Sequence, residues 1–93
     1  MVAASGVKVQ SEVLTSRGRI DLVVMTAHTT WIMEFKCGQS AEAGLRQIYE
    51  KGYADRYRGL GKKLMLMGIG FDSGKRCVSG WRMEATNDGN GHK

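Results

Sequence analysis

Two acids and an amine stand at a spacing that could support hydrolysis of a phosphodiester. Asp21 lies in the run Gly18-Arg19-Ile20-Asp21-Leu22-Val23-Val24, and Glu34 and Lys36 lie in Ile32-Met33-Glu34-Phe35-Lys36. In an extended chain, residues two apart point to one face, so Glu34 and Lys36 share a side. If Thr26 pairs with Thr29 across a tight turn, the register sets Asp21 opposite Glu34, with Cβ atoms about 5 Å apart. Two carboxylates held together on an otherwise apolar face are costly unless a cation joins them. Hard oxygen donors of this kind suit Mg²⁺ or Mn²⁺. Such an ion would polarise a scissile phosphate and acidify a water, while Lys36 holds or deprotonates that water and offsets charge developing on phosphorus. Glu12 would complete the metal shell directly or through water. The same spacing also serves an ordinary salt bridge between Lys36 and either acid, and the spacing alone does not decide between them.

The elements that must position these residues can be read from patterning. Residues 7–14 and 19–26 read as strands joined by a turn at Ser16-Arg17-Gly18, and residues 31–36 as a third. In the second strand Ile20, Leu22 and Val24 take one side, and Asp21, Val23 and Met25 the other. Both faces of the second and third strands are largely apolar, which predicts a sheet covered on both sides. Ser40 is a candidate N-cap. From Ala41 the period becomes helical, with Ala41, Leu45, Ile48, Tyr49 and Gly52 on one stripe and Glu42 and Arg46 as an outward pair. Gly59 and Gly61 place the helix end near Arg58. Residues 63–71 form a near-continuous apolar run, read as a buried strand whose Gly68 and Gly70 allow close packing of the helix. A turn at 72–75 leads to a last strand over 76–84.

The order is β-β-β-α-β-β: an α/β domain with a mixed sheet of about five strands over residues 1–84, followed by a polar tail at 85–93. A single helix leaves one sheet face without a cover. The expectation is a missing N-terminal helix, replaced by a homodimer contact or a partner domain.

Composition narrows the class. The 93 residues, 42% hydrophobic and 25% charged, suit one small domain. Apolar runs fall short of a bilayer span of about 20 residues, and the first residues lack a signal-peptide pattern. Cys37 and Cys77 have no clustered partners for zinc, and a reducing, cytoplasmic setting is expected. The net charge of +5 and a pI near 9.5 are compatible with a polyanionic partner.

From Ser11 to Glu84 the chain resembles the PD-(D/E)XK nuclease superfamily, in particular a bacterial branch usually found behind an AAA-ATPase-like module. The resemblance rests on Ser11-Glu12, the runs around Asp21 and Glu34 quoted above, Gln47-Ile48-Tyr49-Glu50-Lys51-Gly52-Tyr53-Ala54, and Gly68-Ile69-Gly70-Phe71-Asp72. It implies a restriction-endonuclease-like core and a Mg-dependent (or Mn-dependent) nuclease. Asp21 and Glu34 would be the metal ligands, Lys36 the catalytic lysine, Glu12 the upstream acid, and Gln47 a helix residue reaching toward the site or substrate. Family members carry a helix before the strand of Glu12, and about ten residues precede Glu12 here.

Arg46, Lys51, Arg56 and Arg58, interleaved with Tyr49, Tyr53 and Tyr57, suggest an edge that meets nucleic acid through phosphate contacts; a solvated helix face with half-buried tyrosines fits equally well. DNA is the expected substrate, cut without strong sequence preference. The competing reading is a non-catalytic nucleic-acid-binding or dimerisation module derived from such a nuclease.

Overall fold

The computed structural model describes residues 6–86. It contains β1 (Lys8–Thr15), β2 (Gly18–Met25), β3 (Thr29–Cys37), α1 (Ala41–Lys51), a short 3-10 turn (Tyr53–Tyr57), β4 (Lys63–Asp72) and β5 (Cys77–Thr86). The strands form one sheet in the order β1-β2-β3-β4-β5. All neighbours are antiparallel except β3 and β4, which α1 links as a parallel crossover. This is the element order expected from the sequence. The expected tail begins too early, however: Ala85 and Thr86 still pair with Met65 and Leu64. The ten-residue β4 offers them partners. The remainder of the tail, 87–93, lies outside the described residues.

α1 starts where predicted, with Ser40 Oγ accepting from the Ala43 N–H at 3.2 Å. It ends earlier than Arg58. Gly52 adopts φ 64°, and its N–H closes the last turn onto Ile48 and Tyr49, so a left-handed glycine stops the helix before the pair at 59 and 61. The chain then tightens into the 3-10 turn and buries Tyr53 and Tyr57. The expected Glu42–Arg46 pair is replaced by a bond across to β5, Arg82 Nη2 to Glu42 Oε2 at 3.2 Å.

The core lies between α1 and one face of the sheet. Val23, Ile32, Leu64 and Leu66 meet Leu45, Ile48, Tyr53, Ala54 and Tyr57 there. Helix and sheet approach closely because Gly44 and Gly68 carry no side chain. A Cβ on Gly68 would collide with the Ala41 carbonyl, and one on Gly44 would sit 2.8 Å from the Glu34 carbonyl oxygen. Gly68 therefore has the packing role expected of it. The other face bears Leu22, Val24, Trp31, Met33, Met65, Met67 and Ile69, partly buried, with Phe35, Trp81 and Met83 exposed. Among the described residues nothing covers this second face, the one that the single-helix reading leaves without a cover.

One irregularity positions the site. Ile20 and Val23 are both fully buried in the same core although three positions apart, whereas strict alternation would send them to opposite faces. The β1–β2 ladder passes from Ser11↔Leu22 to Val13↔Ile20 without a Glu12↔Asp21 pair, and Glu12 sits at φ 54°. Here the hairpin changes the face it presents, and its tip packs on the helix end: Arg17 reaches the Lys51 carbonyl and Gly18 abuts Tyr53.

Candidate active site

The Thr26–Thr29 turn forms as the spacing implied, with Thr26 N–H bonded to Thr29 O at 2.8 Å. Pairing of β2 with β3 runs from Met25↔Thr30 to Leu22↔Met33 and then stops. The next pair in that register is Asp21 with Glu34. At this fork side chains take over from the ladder. The Asp21 N–H donates to Glu34 Oε2 at 2.9 Å, and the Phe35 N–H donates to Asp21 Oδ2 at 2.9 Å. The departure of the hairpin toward the helix thus opens room for two carboxylates and anchors both of them.

Glu34 is 2% exposed, and its pKa is raised from 4.5 to about 7. Burial is the main cause, helped by the charge of Asp21 and a side-chain hydrogen bond with it; the Asp21 N–H and the Lys36 ammonium act the other way. Lys36, on the same face as Glu34, donates to Gln47 Oε1, and Gln47 Nε2 donates to Glu34 Oε1 at 2.9 Å. The helix therefore sends Gln47 into the fork, between acid and amine.

Four residues singled out from the sequence, Asp21, Glu34, Lys36 and Gln47, are brought together. Glu12 falls at the step where the β1–β2 ladder skips a pair, and it is exposed. Among the described residues no three His, Cys, Asp or Glu side chains are grouped as they would be around a metal. The acid pair nonetheless fits a hard divalent cation. Mg²⁺ is commonly held by one or two carboxylates plus waters and phosphate oxygens, and a carboxylate has more acceptor positions than the bonds above use.

The basic residues are more scattered. Arg46 is exposed beside Tyr49 and Arg82. Arg58 bonds Asp55 at 3.1 Å, and Arg56 bonds the Leu14 carbonyl at 2.8 Å. Tyr53 and Tyr57 are 2% and 6% exposed and belong to the core, so of the three tyrosines only Tyr49 faces solvent. Packing Tyr53 against Gly18 of the β1–β2 hairpin outweighs any role for it as a stacking surface. Arg17 at the hairpin tip was not singled out from the sequence. A basic residue in a predicted turn was the available signal, but nothing local shows that the turn folds onto the helix. Cys37 and Cys77 are free and exposed.

A fork of two strands presenting Asp…Glu-x-Lys beside a helix glutamine agrees with the family comparison. The model of the PD-(D/E)XK nuclease superfamily matches residues 1–81, and the chain belongs to that superfamily. It is 40% identical over 85 residues to an uncharacterized protein in the vnfD 5' region of Azotobacter chroococcum mcd 1. That match covers 89% of this chain and 16% of the relative, so the chain spans about one sixth of the relative's length. No solved structure matches significantly. No helix of the described residues is long and apolar enough to cross a membrane.

Proposed function

We propose that this nuclease-like domain hydrolyses phosphodiester bonds in DNA with Mg²⁺ or Mn²⁺ held by Asp21 and Glu34. The observation that carries the reading is the exchange of hydrogen bonds between Asp21 and the Glu34-Phe35 segment across the fork, which gathers two acids beside Lys36. A bound divalent ion would supply Lewis acidity to a phosphoryl oxygen and make a water more acidic. The chain's own groups do the rest. Asp21 and Glu34 offer anionic oxygens at positions fixed by backbone N–H groups. Lys36 Nζ orients the attacking water and offsets charge on the phosphoryl oxygens. Gln47 keeps the Lys36 ammonium and the Glu34 carboxyl apart and aligned. Glu12 contributes through water from the outer side of the fork. Arg46, Lys51, Arg56 and Arg58 attract the phosphate backbone without reading bases.

The test is incubation with supercoiled and linear DNA, with Mg²⁺, with Mn²⁺ and with chelator. Metal-dependent cleavage is expected, lost in Asp21→Ala, Glu34→Ala and Lys36→Ala. A second reading, a non-catalytic nucleic-acid-binding or dimerisation module, draws on the uncovered apolar face with Phe35, Trp81 and Met83 exposed. Binding without cleavage, indifferent to those three substitutions, would establish it instead.

A further inference from the structure

We propose that the cleft between the β1–β2 turn and the end of α1 is a phosphate-backbone site that holds the nucleic-acid strand a few nucleotides from the acid pair. This deepens the nuclease reading and rests on it. The cleft is lined by Thr15, Ser16, Arg17, Lys51, Gly52, Tyr53, Asp55 and Arg56; three cations face a single acid there. Asp55 is already engaged by Arg58 at 3.1 Å and lies 3.8 Å from Arg17.

Of the two arginines, Arg56 is held by a 2.8 Å bond, and Arg17, with its side chain 58% exposed, is tethered more loosely at 3.5 Å. Arg17 Nη1 donates to the Lys51 carbonyl, and Arg56 Nη1 donates to the Leu14 carbonyl. Each bond uses one of the five N–H donors of a guanidinium and leaves further donors for an anion. A fixed guanidinium loses less freedom on binding phosphate than a mobile one and can grip it with paired N–H bonds. Gly52 also matters, because its Cα carries no side chain where Arg17 lies: a Cβ there would overlap the Arg17 guanidinium.

The cleft also stands in a fixed relation to the chemistry. β2 begins at Gly18, beside the cleft, and reaches Asp21 three residues later. At about 3.3 Å per residue that is roughly 10 Å, a span that nearby phosphates of one strand can bridge. A strand with one phosphate at the acid pair can therefore place another in the cleft. Such a contact adds affinity without sequence preference.

The experiment measures binding and cleavage separately. Asp21→Asn protein is titrated with a labelled DNA duplex in chelator at several salt concentrations, with and without Lys51→Gln or Arg17→Gln. Each cleft substitution is expected to weaken binding roughly three-fold or more and to make the salt slope shallower by about 1. In the otherwise unaltered enzyme the same substitutions should raise KM and leave kcat unchanged. Lys75→Gln, on the β4–β5 turn, removes an equal charge and serves as the control. Melting curves verify that each variant is folded, and Arg17→Lys, which keeps the charge, should retain most of the salt slope. Equal losses in Lys75→Gln and the cleft variants would overturn the assignment, as would unaltered binding in folded Lys51→Gln protein. Absence of cleavage with a cleft-dependent binding loss would overturn only the hydrolytic reading.

Discussion

Gln47 Nε2 donates to Glu34 Oε1 at 2.9 Å while the carbonyl oxygen of the same amide receives the Lys36 ammonium. One side chain from α1 thereby fixes both a carboxyl and an ammonium projecting from β3. The amide is the natural choice for this position, since it offers a donor and an acceptor at once. A carboxylate there would repel Glu34, and an apolar group would leave Glu34, which is almost wholly buried, short of a partner.

Gln47→Met is therefore expected to fold with stability lower by about 1–3 kcal/mol and to lower kcat roughly 10–100-fold, the range found for residues that orient metal ligands. Steady-state cleavage and a melting curve on the same preparation check it. A large fall in melting temperature with unaltered kcat would show that the residue only supports the fold.

The raised pKa of Glu34 has a consequence for stability in metal-free protein. A carboxyl whose pKa moves from 4.5 unfolded to about 7 folded binds its proton more tightly in the native state. Its contribution is complete below pH 4.5, declines as pH rises, and is gone above about pH 7. The full effect is about 3 kcal/mol. In chelator, the unaltered protein should lose stability between pH 5 and 8 relative to Glu34→Gln, which cannot ionise. Denaturant midpoints at several pH values measure the difference, and parallel pH profiles would contradict it.

Close approach of helix and sheet gives a third expectation. In Gly68→Ala the new methyl group meets the Ala41 carbonyl and the Leu45 N–H, both backbone and unable to swing aside. α1 must shift outward, at a cost of about 1–3 kcal/mol or more. Because α1 carries Gln47, cleavage should fall as well. Gly80→Ala, with open space around its Cβ, is the comparison and should be far milder in a thermal melt.

The placing of Asp21, Glu34 and Lys36 together was legible in the sequence, and the reason is geometric. A tight turn at Thr26 and Thr29 fixes the register of β2 on β3, and a period of two then fixes the face of Glu34 and Lys36. The Ser40 cap and the crossover were equally local. What failed was long-range. Reading Ile20 and Asp21 as strictly alternating missed the change of face at Glu12, which depends on where the hairpin tip finds the helix. Tyr53 looked available for nucleic acid because its burial depends on the same packing. Glu42 took Arg82 from a strand forty residues away in preference to its helical neighbour.

Asp21 has two duties that substitution can separate. Its Oδ2 accepts the Phe35 N–H where the β2–β3 ladder has ended, and its charge is one of the factors raising the pKa of Glu34. Asp21→Asn keeps an oxygen for that N–H but removes the charge. The variant should fold with unaltered or slightly higher stability near neutral pH, since repulsion with Glu34 is gone, and it should hold Glu34 at a lower pKa. It should nonetheless have no cleavage activity, because the proposed metal site loses one anionic oxygen. Asp21→Ala loses the hydrogen bond too and should be less stable than Asp21→Asn by about 1 kcal/mol. Paired melts and cleavage assays decide the matter. If Asp21→Asn cuts DNA as well as the unaltered protein, the carboxylate serves only to brace the fork, and the metal must be held elsewhere.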